Sequence, residues 1–316
     1  MNRTVLGLDT SNYRTSIALV SEKGEILLNI RQLLPVPAGE RGLRQNEAFF
    51  AHVKQLSAAA DDLRRIDKGS IAAVAASTAP RDGTESYMPV FLAGTSFGQL
   101  TAAVLGVPFV GTTHQRGHLA AAKAGTDLED AEEFLAVHLS GGTTDLLDAR
   151  RNKITQIGGS LDLHAGQLVD RAGVAMGLAF PSGPEMEALA MQGESKGRLG
   201  CSMENEDLSC HLSGAESQVQ RWIQNGELPR ECIAREIYDF LARTVIRMLA
   251  AGSEKTGLRK ALVTGGVAAS PLLRELLAER AVRRPDVPEI VFGKPEMSGD
   301  NAVGVALIGL QAVVSG

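Results

Sequence analysis

Two histidines four residues apart, in His114-Gln-Arg-Gly-His118, form the pair in this chain best suited to holding a metal ion. If Thr112 or Thr113 caps a helix here, both imidazoles fall on one helical face. That arrangement suits two ligands of one Zn²⁺ or Fe²⁺ ion. The glutamate of the metalloprotease pattern His-Glu-x-x-His is absent, so the pair does not read as a zinc protease. Two hydrogen-bonded histidines are the plainer alternative. A third ligand must come from elsewhere, and Asp300, in Met297-Ser-Gly-Asp-Asn301 before the last helix, is the best candidate.

Three glycine or small-residue turns offer a second kind of chemistry. Ser140-Gly-Gly-Thr-Thr144 lies between two apolar runs, and backbone N–H groups without Cβ obstruction can cradle phosphate oxygens. Asp9-Thr10-Ser11 holds the matching place earlier in the chain. Thr264-Gly-Gly-Val267 follows a strand and opens a helix, where a phosphate can approach the helix N-terminus. One such turn is more often a plain tight turn; three, two of them in corresponding places, point to a nucleotide. Asp170 and Glu187 sit at helix ends where ribose hydroxyls would find carboxylates, with solvated surface acids as the alternative. His52, His138, His164 and His211 lack partners in sequence and read as structural. The basic clusters Arg150-Arg151-Lys153 and Arg280-Arg283-Arg284 read as solvated faces.

The elements that must position these residues repeat. Thr4–Ser11, Arg14–Val20 and Lys23–Leu28 are echoed by Phe134–Gly142, Thr143–Asp148 and Lys153–Ile157. Each set is an apolar run, a small-residue turn, a second run, a charged turn and a third run, as in antiparallel strands. An echo roughly 130 residues apart indicates two related lobes, not a solenoid. Helices are expected over Glu47–Arg65, Phe91–Leu105, Gly166–Met176, Glu185–Met191, Ile233–Ala251, Pro271–Ala281 and Asn301–Val313. Strands are expected at Ile71–Ala76, Pro108–Thr113, Ala261–Val263 and Glu289–Phe292. Gly193–Gly214 is polar and patternless and is expected to be a loop. The fold class is α/β, with lobes over residues 1–130 and 131–316 and the final helix free to pack back on the first.

Bulk properties exclude several classes. No apolar stretch of ~18 residues escapes a charge or a breaker, so no membrane span is expected, and Asp9 interrupts anything like a signal peptide. Cys201, Cys210 and Cys232 are too few and too irregular for a disulfide framework, which suits a reduced, cytoplasmic protein. With a net charge of −5, nucleic-acid contact would need local basic patches or a partner protein.

The ordered motifs Val5-Leu-Gly-Leu-Asp-Thr-Ser11, His52, His114-x-x-Gly-His118, Leu139-Ser-Gly-Gly142, Ala165-Gly-x-x-x-Asp170, Pro181-Ser-Gly-Pro184, Gly265-Gly-Val-Ala-Ala269 and Asp300-Asn301 run nearly end to end. Together they resemble the tRNA N6-adenosine threonylcarbamoyltransferase, or glycoprotease, family. The resemblance implies the actin-like ATPase fold of sugar kinases and heat-shock ATPases, with a ligand cleft between two lobes. It implies His114, His118 and Asp300 as ligands of one divalent metal, Fe or Zn. It implies His138, Leu139, Ser140, Gly141 and Gly142 as the phosphate and carbamoyl turn. Asp170, Gly183 and Glu187 would contact ribose and adenine, with Gly265 and Gly266 at the base and Ser270 at a nucleotide-facing position. The implied reaction moves a threonylcarbamoyl group from an acyl-adenylate to adenosine N6 in tRNA, releasing AMP. The implied partners are a nucleotide, tRNA, and a paralogous protein or a second copy of the chain.

Departures from the family pattern shape the alternatives. The usual acids of the first turn are replaced by Tyr13 and Arg14, a Glu by Gln167, an Asn by Ser270, and a glycine-proline-glycine loop by Ala79-Pro-Arg-Asp-Gly83. Metal-ligand positions stay while substrate-facing ones change, as in a divergent paralogue. Transfer of a threonylcarbamoyl or related carbamoyl group is the leading expectation. A catalytically silent nucleotide-binding partner of the transferase is the second. A sugar or acid kinase is the third, for which Asp9 would be the base.

Overall fold

Residues 3–11, 14–35, 43–83, 86–151, 153–203, 208–299 and 301–314 are described by a computed structural model. The first apolar run becomes β1 (Thr4–Thr10), buried along its whole length and therefore covered on both faces. It continues through β2 (Arg14–Ser21) and β3 (Ile26–Leu33) in an antiparallel meander. Next come α1 (Gln45–Ala58), α2 (Ala60–Arg64), β4 (Ile71–Ala79), α3 (Phe91–Leu105), β5 (Phe109–Thr113) and α4 (His114–Lys123). The sheet order is β3-β2-β1-β4-β5, with β4 parallel to both β1 and β5.

The second meander is β6 (Phe134–Leu139), β7 (Thr144–Arg150) and β8 (Lys153–Ser160). It is followed by α5 (Ala165–Ala175), α6 (Gly183–Ala190), β9 (Ser202–Met203), β10 (Ser209–His211), α7 (Ser213–Asn225) and α8 (Arg230–Thr256). Then come β11 (Lys260–Thr264), α9 (Pro271–Val282), β12 (Glu289–Phe292) and finally α10 (Val303–Val314). The sheet order is β12-β11-β6-β7-β8-β10-β9. Read from its other edge, the run β8-β7-β6-β11-β12 repeats the plan of β3-β2-β1-β4-β5. The sequence echo is therefore a duplication of topology.

The chain divides into two compact units, Met1–Ala124 with Gly299–Gly316, and Gly125–Ser298. The last helix thus belongs with the first unit, where it packs on β1, β4 and α4. In the second unit, α8 buries Phe240, Val245 and Leu249 in a core shared with Leu135 and Leu146 of the strands.

Three expectations change. The helix expected over Glu47–Arg65 is broken at Ala59, which ends α1 and opens α2. The expected loop Gly193–Gly214 contains β9 and β10, which extend the sheet by parallel pairing of β10 with β8. Strands of two and three residues are too short for alternation to register in sequence. Helix α7 went unanticipated, although its buried residues Ala215, Val219 and Trp222 carry helical spacing.

Candidate functional site

In the first unit, the start of α4 is fixed from several sides. Thr113 accepts the N–H of Arg116 at 3.3 Å through its hydroxyl, capping the helix as expected. The guanidinium of Arg116 donates to Asp82 at 2.8 and 2.6 Å, a two-point clamp. Asp82 sits in the segment Ala79-Pro-Arg-Asp-Gly83, where the sequence departs from the pattern it otherwise resembles, so that departure anchors the histidine helix. Helices α4 and α10 approach backbone to backbone. A Cβ on Gly304 would lie 1.8 Å from the carbonyl oxygen of Gly117, so only glycine permits the approach.

On that helix the two imidazoles converge. Nε2 of His114 and Nε2 of His118 are 2.9 Å apart, with the rings edge to face. His114 Nδ1 lies 3.0 Å from both carboxylate oxygens of Asp9, which can only accept, so Nδ1 carries a proton. Asp9 is fully buried at the end of β1 and also accepts from the Ser77 hydroxyl at 2.5 Å. A carboxylate behind a histidine fixes its tautomer and raises the basicity of the other ring nitrogen. The nitrogen turned toward His118 is therefore the one suited to a cation, and the donor set fits Zn²⁺ or Fe²⁺. Among the described residues no group of three His, Cys, Asp or Glu side chains closes a metal site. The expected third ligand, Asp300, lies outside the described residues, as does Tyr13.

The first turn is held by His52, which is fully buried. Its Nε2 donates to the Ser11 carbonyl at 2.7 Å, and its Nδ1 meets the Thr15 hydroxyl at 2.7 Å. Burial lowers its pKa, against the opposing pull of the Ser11 carbonyl and Asp9. Thr10 is used as a helix anchor: its hydroxyl accepts the N–H of Gly94 and donates to the Val90 carbonyl.

In the second unit, the expected nucleotide residues gather at the carboxyl ends of β6 and β11, where open α/β sheets bind ligands. A Cβ on Gly265, whose φ is +105°, would lie 2.2 Å from the Leu139 carbonyl oxygen, which seats this turn directly on His138 and Leu139. The Ser140 carbonyl accepts the N–H of Gly166, joining the first turn to α5. Among the described residues, and apart from the adjoining chain, no atom lies within 4 Å of where a side chain would begin at Gly141, Gly142, Gly183 or Gly266. The turn is not the open cradle expected, because the N–H groups of Gly142 and Thr143 are tied back to the Ser140 hydroxyl. Thr143, in turn, meets His138 Nδ1 at 3.3 Å.

Asp170 accepts the N–H of Ser182 at 2.8 Å through one oxygen, and burial raises its pKa against that bond. Glu187 accepts from the Ser270 hydroxyl and the Leu272 N–H, both at 2.7 Å. Ser270 also caps α9 through Leu273. Gln167 receives the N–H of His164 and so serves as a helix cap. The contributions that sequence reasoning missed are those of Ser77, Asp82 and Ser182. Ser77 and Asp82 reach across 68 and 34 residues with no local signal, whereas Ser182 meets Asp170 only 12 residues away.

The family model for TsaD, tRNA N6-adenosine threonylcarbamoyltransferase, matches residues 48–306. The tRNA N6-adenosine threonylcarbamoyltransferase of Pyrobaculum calidifontis is 30% identical over 98% of this chain and 87% of its own length. That of Methanopyrus kandleri is 29% identical over 96% and 86%. A probable bifunctional tRNA threonylcarbamoyladenosine biosynthesis protein from Thermoplasma volcanium is 27% identical over 99% of this chain but 57% of its own. Among solved structures, full-length HypF in its phosphate- and nucleotide-bound form aligns with a TM-score of 0.63 at 12% identity. It covers 98% of this chain and 46% of its own. The ROK hexokinase of Thermus thermophilus aligns with a TM-score of 0.59 at 17% identity, covering 99% and 100%. The fold is the actin-like ATPase fold of these neighbours.

Proposed function

The chain belongs to the tRNA N6-adenosine threonylcarbamoyltransferase family, and from that premise we propose that it transfers a threonylcarbamoyl group from an acyl-adenylate to the N6 amine of a tRNA adenosine. The observation that carries this reading is the convergence of the His114 and His118 Nε2 atoms in front of the buried Asp9. A purely structural pair would have little need of a carboxylate fixing one tautomer. His114, His118 and Asp300 are proposed to hold one divalent ion, Fe or Zn. Bound there, such an ion supplies Lewis-acid polarisation of an oxygen.

The chain's own residues do the remaining work. The glycines at 141, 142, 183 and 266 let a nucleotide approach the backbone. Asp170 offers an acceptor to a ribose hydroxyl, and the N–H groups of the 140–143 turn become donors to an oxyanion if the Ser140 hydroxyl rotates away. The amine forms the new bond to the carbamoyl carbon, the bond to the adenylate phosphate oxygen breaks, and AMP leaves as the amine loses its proton.

The test is incubation with threonylcarbamoyl-adenylate and unmodified tRNA, followed by nucleoside analysis. N6-threonylcarbamoyladenosine with equimolar AMP is expected, and no modified nucleoside in the presence of Fe²⁺ or Zn²⁺ overturns the reading. A silent, nucleotide-binding partner of a transferase is the second reading, favoured by the Ser270–Glu187 bond, which occupies two nucleotide-facing side chains with each other. Nucleotide binding without transfer would select it.

A further inference from the structure

The cluster Arg280-Arg283-Arg284, which reads in sequence as a solvated face, is one wall of a pocket. Arg243 and Arg247 from α8 form the other wall, and the pocket holds about 420 Å³. Arg243 and Arg247 lie four residues apart on one helical face, on which Asp239 also falls. Their guanidinium groups are fixed: Arg243 donates to Asp239 and to the Leu199 carbonyl, each at 2.8 Å, and Arg247 donates to the Cys201 carbonyl at 2.6 Å. Arg280 bonds the other oxygen of Asp239 and the Leu276 carbonyl. Arg284 pairs with Asp286.

Three features separate this pocket from an ordinary basic surface. Asp239 and Asp286 offset only two of five positive charges, in a chain whose net charge is −5. The exposed lining is mostly the apolar stems of these arginines, and the surplus positive charge on side chains that stay partly exposed attracts anions. Favourable placement at a helix C-terminus accounts for Arg280, Arg283 and Arg284, but not for Arg243 and Arg247 in the body of α8. All five cations are arginine, whose rigid fork matches phosphate oxygens two at a time. The exposed side chain of Arg283 makes no hydrogen bond or ion pair among the described residues. The pocket lies at the far end of α9 from Ser270, about 18 Å along a 12-residue helix. It is therefore separate from the nucleotide residues.

We propose that this five-arginine pocket binds backbone phosphates of RNA, docking the nucleic-acid substrate at a distance from the reacting base. The choice of RNA over a free phosphate rests on the functional reading above; the phosphate chemistry does not. The test measures binding of an unmodified tRNA transcript to the full-length protein by fluorescence anisotropy, from 50 to 300 mM salt. The variant is Arg283→Glu/Arg284→Glu, and the control is Arg150→Glu/Arg151→Glu in the other basic cluster. Once two arginines no longer neutralise phosphates, affinity near 150 mM salt should fall about tenfold or more, and the slope of log affinity against log salt should shrink by about one to two. Thermal unfolding should fall only slightly, because Arg283 and Arg284 hold no buried partner and lose only their favourable placement at the helix C-terminus. The control should bind as wild type.

Equal binding by the pocket variant, an equal loss in the control, or no RNA binding by the wild type overturns the proposal. Saturation of the pocket by pyrophosphate or ATP, with RNA binding unaffected, identifies a free phosphate ligand and also overturns it. Transfer activity is read in parallel. Pocket-dependent RNA binding without transfer sinks the functional reading and leaves this proposal standing, whereas transfer with a neutral pocket variant does the reverse.

Discussion

Replacing Asp9 by asparagine keeps the shape of the buried carboxylate and changes only what it offers to His114. In the native arrangement Oδ1 accepts from Ser77 at 2.5 Å, and both oxygens face His114 Nδ1 at 3.0 Å. An asparagine that still accepts from Ser77 puts its NH₂ in place of Oδ2, so Nδ1 faces one donor and an oxygen already engaged by Ser77. The new donor opposes a proton on Nδ1, which shifts the imidazole toward the tautomer protonated on Nε2, the nitrogen facing His118. A cation must then displace that proton. Loss of a partner behind a metal-binding histidine lowers metal affinity about 10- to 100-fold, equivalent to about 1.4–2.8 kcal/mol. Competition between the protein and a chromophoric chelator for Co²⁺ measures this directly, with circular dichroism verifying that the variant is folded. Affinity within twofold of wild type would refute the tautomer argument and return Asp9 to a purely structural role.

Gly265→Ala places a Cβ 2.2 Å from the Leu139 carbonyl at a φ of +105°, and should lower the unfolding free energy by about 3 kcal/mol or more in urea titrations. Ser270→Ala removes the cap of α9 and should cost about 1–2 kcal/mol, while Ser270→Asn, which can still cap, should restore most of it. Burial pushes the carboxyl of Asp162 up, but hydrogen bonds from the Ser213 hydroxyl and the N–H groups of Leu212, Leu163 and Ser213 prevail and hold it at about 2. Its folded pKa lies below the unfolded value of 3.8, so its contribution is fully present above about pH 5 and is lost as the pH falls toward 2. Asp162→Asn should cost about 1–2 kcal/mol at neutral pH and flatten the acid-unfolding curve in that window.

What could be read from sequence was local. The spacing of His114 and His118 after Thr113 was enough to predict a capped helix with both rings on one face. The paired meanders gave the duplication, because each strand's apolar run is bounded by turn residues. Contacts that close over long separations carried no such signal. Asp9 meets His114 across 105 residues, Glu187 meets Ser270 across 83, and the arginine pocket draws on two helices whose basic residues look solvated one by one. The turn at Ser140 was legible as a turn but not in its internal bonding, since a serine hydroxyl that recaptures its own backbone N–H groups leaves the same sequence pattern as an open cradle.

The claim on which the functional account stands is that His114 and His118 together hold a divalent cation. Elemental analysis of the purified wild-type chain and of a His114→Ala/His118→Ala variant tests it most directly. About one Fe or Zn per wild-type chain is expected, with loss of that metal from a variant that stays folded. Equal metal content in the two proteins would contradict it.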